Sequence, residues 1–165
     1  MIDDIEIRPA TDADGDGLAA LIRDCFAEYP GCVFARAAEM PELDAVASHF
    51  AALEGRIWVA ENGVRLVGSL GVRPRADRVV ELVKVYVAEE CRGSGLAQRL
   101  LAHGLAFAAT RGARRVELWS DTRFTRGHGF YAKEGFTATG ETRFLADLSD
   151  TWEYRFVRLL DPDRR

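Results

Sequence analysis

The chain has 165 residues, with 22 Lys and Arg against 26 Asp and Glu, for a formal net charge of −4. That length suits one domain over 1–165 with a sizeable core, and 48% hydrophobic residues exclude a chain disordered throughout. The mildly acidic balance also speaks against a dedicated nucleic-acid binder, which carries a basic face.

In chain order, Ile5-Glu6-Ile7-Arg8 alternates as a short strand and ends at Pro9. Thr11 to Asp14 reads as a capping box, and Leu18, Leu21, Ile22, Cys25 and Phe26 follow at helical spacing. A break at Glu28 to Phe34 precedes a second helix from about Pro41, whose apolar stripe is Leu43, Val46, Ala47, Phe50 and Leu53, with Gly55 as its stop. Arg56 to Ala60 and Arg65 to Val72 form a hairpin around Asn62-Gly63, Pro74 to Asp77 turns the chain, and Val79 to Val87 is the longest strand. A long helix, Leu96 to Arg111, is closed by Gly112, and Arg115 to Ser120 is another strand. A short helix around Gly127 to Lys133 and two antiparallel strands, Thr142 to Leu145 and Trp152 to Leu160, complete the chain. The order indicates an α/β fold, a mixed sheet with helices on its faces, and the Val79–Ser120 crossover favours one parallel pair.

Cys25, Cys32 and Cys91 make an odd, sparse set without a C-x-x-C, which points away from a disulfide framework or a metal site. Reduced thiols suit a cytoplasmic location. Met1-Ile2-Asp3-Asp4 lacks the basic and apolar regions of a signal peptide, and no run approaches the ~18 apolar residues of a membrane span.

The strongest local signal is the junction between the longest strand and the long helix, Glu89-Glu90-Cys91-Arg92-Gly93-Ser94-Gly95-Leu96-Ala97. A glycine-bearing turn into a helix N-terminus gathers backbone amides at the positive end of the dipole, which suits a phosphate. A P-loop would need Lys after Gly95, and a Rossmann turn would need a small residue at Gln98 in an early strand–helix unit. What remains is Arg-x-x-Gly-x-Ala, read either as a phosphate cradle or as a plain strand–helix turn.

A second block, Phe130-Tyr131-Ala132-Lys133-Glu134-Gly135-Phe136, lies one strand and one short helix downstream. Together the two blocks resemble the GNAT superfamily of acyl-coenzyme A-dependent N-acyltransferases. The family's Arg/Gln-x-x-Gly-x-Gly/Ala motif is matched by Arg92, Gly95 and Ala97, and its aromatic-Tyr-x-Lys-x-Gly-Phe motif by Phe130 to Phe136. Glu81 to Val87 resembles the family's central strand, and Ile7 to Thr11 a common family start. Phe124 and Gly127 stand where many members carry Asn and Ala.

The resemblance implies a mostly antiparallel mixed sheet with a parallel pair after the CoA-binding turn, and acetyl-CoA as co-substrate without a metal. It implies cofactor contacts from Val85, Tyr86, Val87, Arg92, Gly93, Ser94, Gly95, Leu96 and Ala97, with a bulge in the central strand freeing a main-chain amide near Val85 to Val87. It implies direct attack of a primary amine of a small molecule or peptide on the thioester, Glu81 as the base, and Tyr131 as the acid for the departing thiolate. Glu81 read simply as a residue is equally a carboxylate paired with Lys84 or an arginine. A non-catalytic acyl-CoA sensor and use of another acyl-CoA are the alternatives. Neither nucleic acid nor membrane is an expected partner, and a homodimer is an allowed assembly.

His103 falls on the polar side of the long helix, His49 borders a packed stripe, and His128 reads as packing near Tyr131. Cys91 lacks a base. Glu28 to Glu42 is the expected cover of the acceptor side, where Glu28, Glu39, Glu42 and Asp44 either suit a cationic acceptor or form a solvated acidic loop.

Overall fold

A computed structural model of the chain describes residues 4–161. The opening Met1-Ile2-Asp3, read above for a leader, lies outside them. Seven strands form one sheet in the order β1-β2-β3-β4-β5-β7-β6. They run β1 Glu6–Pro9, β2 Arg56–Glu61, β3 Leu66–Arg75, β4 Val79–Val87, β5 Arg115–Asp121, β6 Thr137–Phe144 and β7 Trp152–Leu159. All neighbours are antiparallel except β4 and β5, the parallel pair expected from the crossover.

The helices are α1 Gly15–Ala27, α2 Arg36–Glu39, α3 Val46–Ala52, α4 Leu96–Thr110 and α5 Thr125–Lys133. Leu18, Ile22, Leu43, Val46 and Phe50 pack with Ile57 and Val59 beneath α1 and α3. Leu96, Leu100, Leu101 and Ala108 of α4 close a second core with Leu70, Leu82, Val116 and Leu118. The start of α1 is tied as its sequence suggests, because the Asp14 carboxylate accepts the Thr11 amide at 2.7 Å and both terminal nitrogens of Arg8.

The helix expected from about Pro41 opens as a 3-10 stretch, Pro41–Ala45, before α3, and α2 has no counterpart in the sequence reading. Two strand segments also differ from it. Pro74 belongs to β3 opposite Val80, not to a turn, since β2 ends opposite Val72 and leaves β3 with an unpaired side there. The β6 strand begins at Thr137, well before Thr142. Its early part is Thr-Ala-Thr-Gly-Glu, whose ladder shifts between Ala138 and Thr142 and whose Gly140 sits at φ 85°, so no regular alternation marks it.

One irregularity shapes everything beyond it. Between the β3–β4 pairs Gly71–Val83 and Ser69–Tyr86, β3 advances two residues and β4 three, so β4 carries a bulge. Lys84 sits in it at φ 51°, a left-handed conformation that a non-glycine residue adopts at a cost. The wholly buried Ser69 donates its hydroxyl to the Lys84 carbonyl at 2.7 Å, and the Lys84 ammonium reaches Glu42 at 2.7 Å. Side chain and main chain of Lys84 are thus both tied. On its other side β4 pairs with β5 only from Val79–Arg115 to Leu82–Leu118. Past Leu82 the strands part, and a wedge opens in the middle of the sheet.

Replacing Ser69 with Ala should remove the donor that holds the bulge and leave a buried carbonyl short of a partner. We expect a loss of about 1–3 kcal/mol, read as a lower urea midpoint at unchanged slope. An unchanged midpoint would mean that the bulge holds without Ser69.

Candidate active site

Two cavities open on either side of the wedge. The first, of about 640 Å³, lies between β4 and the start of α4. Val85, Tyr86 and Val87 line it from the strand, and Arg92, Gly93, Gly95, Leu96 and Ala97 from the turn. Of the cofactor residues named from sequence, Ser94 alone is absent from the lining. Its hydroxyl instead bonds the Cys91 carbonyl and accepts the Leu96 amide, fastening the turn from within.

Gly93 at φ 74° and Gly95 at φ 89° let the turn fold as it does, and a Cβ on either would meet nothing within 4 Å. The main chain is therefore open to a ligand on that side. The first backbone bond of α4 runs from the Arg99 amide to the Gly95 carbonyl at 3.1 Å, so the amides before it are free of helix partners. Arg92 is less free than the sequence suggested. Glu28, at the end of α1, takes both terminal nitrogens of its guanidinium at 2.5 Å, and one of them also reaches the Val87 carbonyl at 3.3 Å. That pairing holds the Glu28 carboxyl below its ordinary range.

The second cavity, of about 410 Å³, lies over β4, β5 and β7 on the other side of the wedge. Cys32, Val33, Glu39 and Met40 line its outer wall, so the segment expected to cover the acceptor side does border it. The acidic residues there are nevertheless committed: Glu28 to Arg92, Glu42 to Lys84, Asp44 to Arg36, and Glu39 to the Leu148 amide.

Glu81 lines this cavity and is 4% exposed. Its two oxygens accept from Arg73 Nε and Nη2 at 3.1 Å each, and Arg75 lies at 3.7 Å. The partner is thus an arginine directly across the ladder, while Lys84 turns to Glu42. Asp121, also buried, accepts the Arg123 amide, Nε and Nη2 at 2.8–2.9 Å.

Val85, Tyr86, Phe124 and Tyr131 line both cavities, so the two meet at these four residues. Tyr131 reaches the junction because α5 ends just past it. The Phe136 amide bonds the Tyr131 carbonyl at 2.9 Å, Gly135 takes φ 85°, and the Phe136 ring returns to the core beside Tyr131 and Phe156. The Tyr131 side chain is buried against these rings, yet its hydroxyl has no hydrogen-bond partner among the described residues. Burial pushes the phenols of Tyr131 and Tyr86 well above the ordinary range, so both keep their protons. Phe124 occupies the N-terminus of α5 and packs on Tyr29 at 4.8 Å, which makes one wall of the junction aromatic.

The remaining candidates fall away from the junction. His128 bonds the Ser120 hydroxyl and the Asp121 carbonyl and packs on Phe156, and burial lowers its proton affinity. His103 stacks near Trp58 on the exposed side of α4, and His49 is exposed. Cys91 is buried in the turn with a free thiol and borders the first cavity. Cys25, which the sequence does not single out as a nucleophile, donates towards the Val87 carbonyl, and burial pushes its thiol up to about 11. Among the described residues no group of three or more His, Cys, Asp or Glu side chains could hold a metal ion, and no helix is long and apolar enough to cross a membrane. Two residues at the site escaped the sequence reading, Ser69 beneath the bulge and Glu153 in the second cavity.

Known proteins resemble this chain in sequence and in fold. Residues 17–136 match the family described as the acetyltransferase (GNAT) family. An uncharacterised N-acetyltransferase of Mycobacterium tuberculosis is 36% identical over 104 residues, which cover 63% of this chain and 67% of that protein. Human N-acetyltransferase 8B is 32% identical over 107 residues, covering 61% of this chain and 47% of that protein. Among solved structures, an acetyltransferase from Streptococcus agalactiae superposes with a TM-score of 0.79 at 21% identity, over 95% of this chain and 99% of that one. The acetyltransferase yncA of Salmonella typhimurium, solved with acetyl-CoA, superposes at 0.74 and 18% identity over 95% and 94%. With the family match spanning most of the chain and the fold in agreement, the chain belongs to the GNAT acetyltransferase family.

Proposed function

We propose that the protein transfers the acetyl group of acetyl-CoA directly to a primary amine of a small molecule or peptide. The observation that carries this reading is the meeting of the two cavities at Val85, Tyr86, Phe124 and Tyr131. One cavity suits a long phosphorylated co-substrate and the other a polar acceptor. Their junction is the one place where both could touch.

The cradle fits acetyl-CoA on its own terms. Open main chain at Gly93 and Gly95, amides without helix partners at the start of α4 and the dipole behind them all favour a pyrophosphate. The parting of β4 from β5 leaves the main chain of Val83 to Val87 without a strand partner on one side, a natural seat for an extended amide-bearing arm. Bound there, acetyl-CoA would supply an acyl group activated as a thioester. Free amides around the bulge would stabilise the oxyanion that forms on its carbonyl.

The amine must arrive neutral. With a pKa of ~10.4 an alkylammonium is about one part in 2,500 neutral at pH 7, a deficit of ~4.6 kcal/mol that the site has to offset. Glu81 supplies negative charge to the acceptor cavity, and could take the proton only through a lone pair that Arg73 leaves open. The Tyr131 hydroxyl serves the sulfur. Protonating a thiolate from an ordinary phenol is uphill by ~2 kcal/mol, and burial of Tyr131 raises that cost. Tyr131 therefore hydrogen-bonds the departing sulfur and passes its proton only as the nitrogen loses its own.

Release of CoA thiol from acetyl-CoA, followed with spermidine, ethylamine, glycinamide and a short peptide as acceptors, tests the activity. Saturable, amine-dependent release is expected, and its absence with every amine would contradict the reading.

Two variants test the assignments. In Gly95→Val a branched side chain enters both the open cradle and a left-handed φ, so acetyl-CoA affinity by calorimetry should fall at least tenfold, about 1.4 kcal/mol. A folded variant with unchanged affinity would move the pyrophosphate elsewhere. Tyr131→Phe keeps the packed ring and deletes a hydroxyl without a protein partner, so stability should hardly change while turnover falls by ~10²–10⁴ at unchanged acetyl-CoA affinity. Wild-type turnover under chemistry-limited conditions would leave Tyr131 as a packing residue.

A further inference from the structure

We infer that Glu153, on β7, is the catalytic residue that binds the acceptor's ammonium group and takes its proton. This rests on the acetyltransferase reading above and deepens it: the acceptor then enters as a primary alkylammonium.

Glu153 lines the acceptor cavity with Glu81, Asp121 and Tyr131, and its side chain is 14% exposed. It lies directly opposite Asp121 on β5 and opposite Arg143 on β6. These three strand carboxylates differ in what they have left to offer, while Glu39 on α2 and Asp147 between β6 and β7, which also line the cavity, accept the Leu148 amide and the Thr151 amide and hydroxyl. Glu81 has both oxygens engaged by Arg73, and Asp121 has both engaged by Arg123. In Glu153 only Oε1 is engaged, by Arg143 Nε at 2.7 Å, and no donor among the described residues reaches Oε2. The Arg143 guanidinium is itself steadied over the Trp119 ring, 4.3 Å from its centroid. Glu153 is therefore a fixed carboxylate with one oxygen open, in a cavity that ends at Tyr131.

The surrounding charges favour that role. Asp121 and Glu81 face Glu153 from β5 and β4, each beside its own arginine, and Arg143 faces it from β6. Arg155, on its own strand, is drawn away to Glu117 and Glu141, and Lys84 is drawn to Glu42. The charge of Glu153 is also felt at the Tyr86 phenol, one of the four residues at the junction. Burial pushes the Glu153 carboxyl up from its ordinary value, and Asp121 and Glu81 push the same way against the Arg143 hydrogen bond. A raised carboxyl is a better proton acceptor, provided it is still ionised when the amine arrives.

The step balances simply. The carboxylate of Glu153 takes a proton from R–NH₃⁺, leaving R–NH₂. The nitrogen lone pair forms the N–C bond at the thioester carbonyl, and the C–S bond breaks with its electrons on sulfur. The second nitrogen proton replaces the one Tyr131 gives to that sulfur, and Glu153 returns its proton to solvent. Acetamide, CoA thiol and one released proton are the products.

The test compares Glu153→Gln with the wild type on two acceptors of similar shape, ethylamine and 2,2,2-trifluoroethylamine, the second being mostly neutral at pH 7. At pH 7 the variant should lose ~10²–10⁴ in kcat/KM on ethylamine, and the deficit should shrink towards high pH. On trifluoroethylamine it should be about tenfold or less. Calorimetric acetyl-CoA affinity should match the wild type, which separates a missing base from a misfolded site. An equal deficit on both amines at every pH would overturn the inference while leaving the acetyltransferase reading in place. So would a pH-selective deficit found in Glu81→Gln instead. If the wild type turns over neither these amines nor any of the four acceptors above at saturating acetyl-CoA, the proposed function fails first and this inference with it.

Discussion

The bulge at Lys84 is the constraint on which the rest of the site depends. A regular β4 would continue its parallel ladder with β5 and leave no room in the middle of the sheet. An extra residue on β4, with Lys84 held at φ 51°, puts the strand out of step, and pairing with β5 stops at Leu82. Strain of this kind persists only where the surroundings over-determine it. Here Ser69 fixes the carbonyl from β3 while Glu42 fixes the ammonium from the segment before α3. The segment before α3 and the central strand are therefore fastened at the same residue.

From that wedge the division of labour follows. The face toward α4 receives amides without helix partners and a glycine turn, the features on which the proposed pyrophosphate seat rests. The face over β5, β7 and β6 receives a row of carboxylates, each matched to an arginine across or along the ladder: Glu81 to Arg73, Asp121 to Arg123, Glu153 to Arg143, Glu117 to Arg155. Such pairing keeps a charged surface tolerable beside a core, since unpaired buried charge is costly. Of the three strand carboxylates that line the second cavity, Glu81, Asp121 and Glu153, the last keeps an oxygen that no donor among the described residues reaches. On the cradle side, Glu28 holds Arg92 at the mouth of the cleft, so the guanidinium is positioned before any phosphate approaches.

The parts of this architecture legible in the sequence were those with local chemistry. Strand β4, helix α4 and the glycine turn could be placed from periodicity and from Gly93 and Gly95. Tyr131 could be singled out from its motif, and the structure supplies the reason for that motif: Gly135 ends α5 in a left-handed turn and sends Phe136 back under the Tyr131 ring. What escaped was non-local. Ser69 in β3 looks like any small polar residue until the bulge places it under Lys84, fifteen positions away. Glu153 sits in an amphipathic strand with no motif, and only the β5–β7–β6 order brings it to Asp121 and Arg143. The partner of Glu81 was open between Lys84 and an arginine, because ladder register decides it and the sequence does not reveal register. Early β6 was hidden by Gly140, which interrupts the alternation that marks a strand.

The central claim is that the two cavities meet where the reaction occurs, and a crystal structure with acetyl-CoA bound tests it most directly. The account predicts the pyrophosphate on the amides between Arg92 and Gln98, and the pantetheine arm along Val85 to Val87. It also places the thioester sulfur within hydrogen-bonding reach of the Tyr131 hydroxyl, with the acetyl group pointing into the cavity that Glu153 lines. A thioester bound away from Tyr131, or an acetyl group facing away from that cavity, would contradict it.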